Sequence, residues 1–171
     1  MGQYYKPTSV DNMESLYSHD YGNMSKLMEH SYINNDFVEI AEYLLSPKGN
    51  WHKHSFVWAG DYADGEENHG EKNLYELAKD IQLKDYPEGS SGRYIINHTK
   101  KEYVDKDIVP EDQEGWKVHP LPLLTCEGNG RGGGDYRLWN DYIGYWSRDR
   151  ISVEEKAPKD YEELIPNFEM D

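Results

Sequence analysis

The stretch Asn35-Asp-Phe-Val-Glu-Ile-Ala-Glu-Tyr-Leu-Leu-Ser-Pro47 carries the clearest structural signal in the chain. Its apolar side chains recur at the three- and four-residue intervals of one helical face, an Asn-Asp pair stands at its start, and a proline stops it. The stretch 93–105 is typical of two short strands joined by a turn. Because strands and helices occur without βαβ alternation, the sequence predicts an α+β fold.

Shorter elements complete this prediction. We expect strands at 3–7, 55–59, 143–146 and 150–153, an extended edge segment at 117–124, and helices at 26–30 and 73–81. The result is a single compact domain of mixed or antiparallel short strands with two or three helices.

The chain of 171 residues is long enough to bury one core, so the sequence predicts a single domain over 1–171. The glycine- and serine-containing stretch 86–92 is the best internal boundary, between halves 1–86 and 93–153. The acidic segment 154–171 is expected to lie over the surface as a tail.

A weak echo between these halves leaves an internal pseudo-repeat open. The first half contains Trp58-Ala-Gly-Asp61 and the second half contains the similar Trp146-Ser-Arg-Asp149. In each half this stretch follows a tyrosine and a Gly-Asn pair in the same order, but at different spacings. A true duplication would place a ligand site between the halves.

The formal net charge of −15 limits the partners of this protein. Direct nucleic-acid binding is not expected, because phosphate contacts need a basic face. No apolar run approaches the length of a membrane span and no signal-peptide core follows Met1, so we expect a soluble protein without a membrane partner. Cys126 is the one cysteine, which excludes an internal disulfide and suits a reducing cytoplasm.

The glycine-rich segment 126–135 (Cys-Glu-Gly-Asn-Gly-Arg-Gly-Gly-Gly-Asp) is the main candidate for a ligand site. Backbone N–H groups without side chains in front of them can surround an anion, and four of the five arginines lie between 131 and 150. The segment matches GxGxxG, but no capped helix or βαβ unit follows, and the Walker lysine is missing. The alternative, a glycine-rich connection packed against aromatic side chains, stays open.

Phosphate would be held by the backbone of this segment and by Arg131, with Arg148 or Arg150 completing a clamp. In a strand, Arg148 and Arg150 would share one face, and two arginines can hold a phosphate through paired hydrogen bonds. Tyr136, Trp139 or Trp146 would stack on a base. The predicted ligand-binding residues are Asn129, Gly130, Arg131, Gly132, Gly133, Gly134, Asp135, Tyr136, Trp146, Arg148 and Arg150.

Metal binding and covalent catalysis have weaker support. His52 and His54 precede an acidic loop, but Ala63 stands where a calcium loop needs its second acid. His119 and Cys126 are the one candidate base–nucleophile pair, and the neighbouring Glu127 would raise the thiol pKa. We therefore assign no catalytic residue, no metal and no cofactor, although acid–base chemistry on a bound phosphodiester stays open.

Five stretches together resemble a family of small proteins found in bacteriophages and some bacteria. They are Met1-Gly-Gln-Tyr-Tyr-Lys-Pro7, the hairpin 94–105, His119-Pro-Leu-Pro-Leu-Leu124, the glycine-rich run to Tyr136, and Trp146-Ser-Arg-Asp-Arg-Ile151. The resemblance implies an accessory phage protein that acts in the host cytoplasm during infection and counters a host defence. Several such defences signal through cyclic dinucleotides or relatives of cyclic ADP-ribose.

The residues and the resemblance together predict a non-enzymatic binder that sequesters a phosphate-containing nucleotide immune signal. One alternative is an acidic inhibitor or nucleic-acid mimic that binds a host defence protein. Another is a phosphodiesterase that cleaves the same signal. A homo-oligomer with sites across subunit interfaces is also left open.

Overall fold

The computed structural model describes residues 3–87, 92–130, 132–138 and 140–168. Among these, nine strands form one sheet: β1 (Tyr5–Ser9), β2 (Glu14–Ser15), β3 (His54–Gly60), β4 (Lys79–Asp80), β5 (Tyr94–Asn97), β6 (Glu102–Asp105), β7 (Cys126–Glu127), β8 (Arg150–Glu154) and β9 (Glu162–Glu163). The same ranges contain four α-helices: α1 (Leu27–His30), α2 (Asp36–Leu45), α3 (Leu74–Leu77) and α4 (Pro120–Thr125). Short 3₁₀ turns lie at Ser18–Tyr21, Lys106–Ile108 and Gly134–Leu138. The predicted α+β class is confirmed.

The strands lie in the order β4-β2-β1-β3-β8-β5-β6-β9. Neighbouring strands from β2 to β6 pair antiparallel, and the short outer strands β4 and β9 pair in parallel. The central strand β3 pairs with β8 at His54 and Ser55 and with β7, in parallel, at Trp58 and Ala59. The two sequence halves therefore share one continuous sheet through the β3–β8 pairing.

Helix α2 forms where the sequence predicts it. The Asn35 side chain accepts a hydrogen bond from the Val38 N–H at 3.0 Å, so it satisfies one of the N–H groups that a helix start leaves free. The apolar face of the helix packs on the sheet against β8. Seven of its ten residues are buried: Phe37, Val38, Ile40, Ala41, Glu42, Leu44 and Leu45.

The side chains of β3 alternate between the two faces of the sheet. Phe56 and Trp58 join the main core beneath α2 and α4, whereas Val57 and Ala59 contact Leu74 of α3 on the opposite face. The main core is rich in aromatic residues, as the composition suggests.

The extended segment predicted at 117–124 is wrong from Pro120 on, although Val118 forms a β-bridge with Tyr32, and the strand predicted at 143–146 is wrong throughout. Residues 120–125 form α4, because Pro120 stands at the first helical position, where its missing N–H costs nothing, and the His119 ring accepts a hydrogen bond from the Leu121 N–H. Residues 143–146 form turns, since Gly144 adopts φ +73° and its N–H donates to the Leu123 carbonyl.

The predicted helix at 73–81 is one turn long. Asn73 caps it through the Glu76 N–H, but the chain leaves it for β4. The acidic C-terminal segment lies along the sheet edge, since β9 pairs with β6 and the Leu164 N–H donates to the Tyr103 carbonyl at 2.7 Å. Among the described residues, no helix has the length and apolar character to cross a bilayer.

Candidate functional site

The described part of the glycine-rich segment is shaped by close backbone packing. Gly130, Gly132, Gly133 and Gly134 all have positive φ, between 54° and 95°. A Cβ on Gly133 would lie 2.7 Å from the Ile143 carbonyl oxygen. The glycines here therefore allow two backbone segments to cross, which is the structural alternative to a phosphate cradle.

The side chains around this segment are partly exposed. Asn129 donates a hydrogen bond to Asp135 at 2.5 Å, and both are exposed. Tyr136 is half-buried, and its ring contacts Tyr5 edge to face at 6.0 Å between ring centres. Arg131 and Trp139, the predicted phosphate-binding arginine and one stacking residue, lie outside the described residues.

Burial of Trp146 and ion pairing of Arg148 limit the contacts that either side chain can make with a ligand. Trp146 is fully buried and its indole N–H donates to Glu102, so in this structure it has no exposed ring face on which a base could stack. Arg148 makes paired hydrogen bonds of 2.6 to 2.9 Å with Glu66 and with Glu127. Two carboxylates already occupy its guanidinium, as happens to many arginines in an acidic chain.

Arg148 and Arg150 do not share a strand face. Arg148 has φ +67° and precedes β8, so the expected alternation begins only at Arg150. Arg150 donates from Nη1 to Asp11 and to the Lys53 carbonyl, each at 3.1 Å, on an exposed part of the surface. The described residues therefore do not form the predicted arginine clamp.

A polar cavity of about 650 Å³ lies elsewhere, between α2, the end of β6 and the start of α4. We call it the polar cavity. Its lining is Ile33, Asn34, Glu39, Glu42, Gly92, Arg93, Lys106, Asp107, Lys117, His119 and Glu155.

Three buried side chains of this lining form a hydrogen-bonded network. Glu42 is 1 % exposed; it accepts from the Lys106 ammonium at one oxygen and from His119 Nε2 at the other, at 2.6 Å. Buried charges are costly unless paired, and this network pairs them on three separate elements. The sequence separations of 64 and 77 residues show that only the fold brings them together.

The protonation states follow from the hydrogen bonds. His119 Nδ1 accepts from the Leu121 N–H, so Nε2 carries the proton and the ring is neutral, and burial lowers the pKa of His119. Burial alone would raise the pKa of Glu42, but His119 and Lys106 hold it below its usual value. The network is thus a carboxylate, an ammonium and a neutral imidazole, with no net charge.

The rim of the polar cavity carries further charges. Arg93 donates from Nε and Nη2 to Asp105 at 2.9 Å, and Nη1 makes no hydrogen bond within the described ranges. Lys117 forms no ion pair with any described residue. Burial, Glu42 and Asp36 raise the pKa of Glu39, which faces the same cavity as Glu42.

The polar cavity was not predicted from the sequence. One signal was present: Glu42 lies four residues after Val38 and three before Leu45, both buried, so a charged residue stands on an apolar helix face. A buried charge in that position indicates a partner elsewhere in the chain.

Cysteine-based catalysis and metal binding lack the side-chain geometry that they need among the described residues. Cys126 is fully buried, its pKa is raised to about 12 by burial, and its Sγ donates to the Leu123 carbonyl, so it makes no pair with His119. Within the described ranges, no three His, Cys, Asp or Glu side chains are arranged to hold a metal ion.

Comparison of the chain with protein-family models, with curated proteins and with solved structures gave no match. The resemblance to small phage proteins therefore stays a prediction from the sequence.

Proposed function

We propose that this protein binds a small phosphate-bearing molecule of the nucleotide class in the polar cavity. The observation that carries the proposal is Lys117, a cation on the cavity wall with no carboxylate partner among the described residues, next to a prearranged network of buried charges. A volume of about 650 Å³ is within the range of small-molecule sites.

The charges of the lining suit a ligand with both an anionic group and hydroxyl donors. Lys117 and the Nη1 group of Arg93 can donate to phosphate oxygens. Glu39 and Glu155 line the same cavity and can accept hydrogen bonds from ribose hydroxyls, a contact that carboxylates make in nucleotide sites.

The neutral network beneath them has a positioning role. Lys106 and His119 both bind Glu42, so the cavity floor keeps its shape without a ligand, which lowers the entropic cost of binding. Sequestration of an immune signal inside an infected cell is the biological role that the resemblance predicts for such a binder.

The test is recovery of the ligand. The protein would be purified natively from cells that make cyclic dinucleotides or relatives of cyclic ADP-ribose, then heat-denatured, and the released molecules identified by mass spectrometry. We expect an intact phosphorylated nucleotide at near one per chain. Lys117→Ala should reduce recovery about tenfold, and Lys48→Ala, the same change at an exposed residue outside the cavity, should not.

The variant Arg131→Ala tests whether the ligand binds in the glycine-rich segment and not in the polar cavity. Loss of the ligand in Arg131→Ala but not in Lys117→Ala would move the site to that segment. Failure to recover a phosphate-bearing molecule from any of these cells would refute the proposal.

A hydrolase is the second candidate, and one observation favours it. Glu39 and Glu42 lie one turn apart on α2 and face the same cavity, with the pKa of Glu39 raised and that of Glu42 lowered. Carboxylates whose pKa values are pushed apart are typical of acid–base pairs. Recovery of a cleaved nucleotide from the wild-type protein, and of the intact nucleotide from Glu39→Gln, would support the hydrolase hypothesis.

A further inference from the structure

An apolar groove of about 330 Å³ lies beside the polar cavity. We call it the apolar groove; its main lining residues are Val104, Ile108, Trp116, Leu164, Ile165 and Phe168. The segment 116–119 separates the two, because Trp116 and Val118 line the groove while Lys117 and His119 line the polar cavity. The groove is therefore a separate surface from the proposed ligand site.

Three large apolar side chains of the groove are exposed to solvent. Ile165 is 67 %, Ile108 47 % and Trp116 39 % exposed. Apolar side chains grouped in this way, with an aromatic residue among them, are typical of surfaces that bind another protein. Scattered single residues would carry no such meaning, but these three line one groove.

Acidic side chains border the groove. From Asp107 to Glu114 the chain has four acidic residues and no basic one, and Glu162 and Glu163 precede the groove residues of the C-terminal segment. Glu111 and Asp112 line the groove itself, and none of its described lining residues is a lysine or an arginine. A partner must therefore bring positive charge around its apolar contact.

The same charges disfavour other occupants. A second copy of this chain would carry its own net charge of −15 to the acidic border, and an anionic lipid surface or a nucleic acid would also be repelled. We propose that the apolar groove docks a basic amphipathic segment of a partner protein, with apolar side chains in the groove and lysine or arginine against its acidic border.

The test uses two synthetic peptides, one of leucine and lysine at amphipathic helical spacing and one with glutamate in place of each lysine. Their affinities would be measured by fluorescence anisotropy with the full chain. We expect the lysine peptide to bind, more weakly as salt is added, and the glutamate peptide not to bind.

Ile165→Asp is the decisive variant. It adds a negative charge, which by itself attracts the lysine peptide, but it removes an apolar contact; we expect about tenfold weaker binding. The matched control is Leu138→Asp, at a residue 88 % exposed and outside the groove, which should leave affinity unchanged. Glu111→Lys should weaken binding more than Glu67→Lys, an exposed acid elsewhere.

Equal effects of Ile165→Asp and Leu138→Asp would overturn the proposal, since binding would then follow charge alone. So would equal binding of the two peptides. Binding of the wild-type chain to phosphatidylserine vesicles, lost in Ile165→Asp, would assign the groove to a membrane surface and also overturn it.

Discussion

His30 lets the protonation chemistry of the core be tested at one residue. It is fully buried; its Nδ1–H donates to the Met24 carbonyl at 2.9 Å, and its Nε2 accepts from the Trp58 indole N–H at 2.9 Å. Protonation of Nε2 would convert this acceptor into an N–H donor, which would then face the indole N–H donor of Trp58 without a hydrogen bond. Burial lowers the pKa of His30 to about 4, against a smaller opposite effect of the Met24 carbonyl.

The sign and size of the effect follow from this pKa. The unfolded chain takes up the proton near pH 6.5 and the folded chain only near pH 4, so stability is complete above about 6.5 and is lost as pH falls towards 4. The full difference is about 3 kcal/mol of unfolding free energy, of which about 2 kcal/mol is lost by about pH 5.

The assay is urea unfolding, followed by tryptophan fluorescence, at about pH 7.5 and about pH 5, for the wild type and His30→Gln. Glutamine can donate to Met24 and accept from Trp58, but it does not titrate. Other groups, including His119, titrate equally in both proteins and cancel. We expect the wild type to lose more unfolding free energy than His30→Gln between the two pH values. If the two losses differ by less than about 0.5 kcal/mol, the reasoning is refuted.

Three further predictions concern other parts of the core. Lys106→Met should lower the free energy of unfolding by about 3 to 5 kcal/mol, because it removes the ammonium opposite the buried Glu42 carboxylate. Adding Glu42→Gln should restore part of this loss. A double variant that is no more stable to urea than Lys106→Met would contradict this prediction. Gly144→Ala should cost about 2 to 4 kcal/mol, since the new Cβ would overlap the Gly132 backbone at φ +73°, and an unchanged Tm would contradict it. Cys126, with its pKa raised to about 12 by burial, should resist iodoacetamide in the native protein and react after urea unfolding; equal labelling rates would show that the thiol is accessible.

The elements that the sequence predicts best are those with local causes. The periodicity of α2 and its Asn35 cap lie within eleven residues, and the β5–β6 hairpin closes over a short turn, so local patterns decide both. The prolines of α4 misled the prediction, because proline ends helices in the interior but is tolerated in the first turn. That distinction depends on where the helix begins, which His119 sets through its side chain.

The candidate site was less predictable than the fold. Glycine and arginine enrichment singles out the glycine-rich segment, yet Gly133 approaches the Ile143 backbone and Arg148 pairs with two carboxylates. The polar cavity depends on Glu42, Lys106 and His119, which no local pattern connects. A charged residue on an apolar helix face was the one trace of it in the sequence.

The position of β8 also determines when this protein can fold during synthesis. β8 lies between β3 and β5, so the His54–Ser55 end of β3 and one edge of β5 stay unpaired until β8 has been synthesised. Unpaired edges are templates for association with other chains, and contacts between distant residues slow folding. We expect the sheet to close only after β8 has been synthesised, and nascent chains stopped before Arg150 to depend on chaperones to stay monomeric.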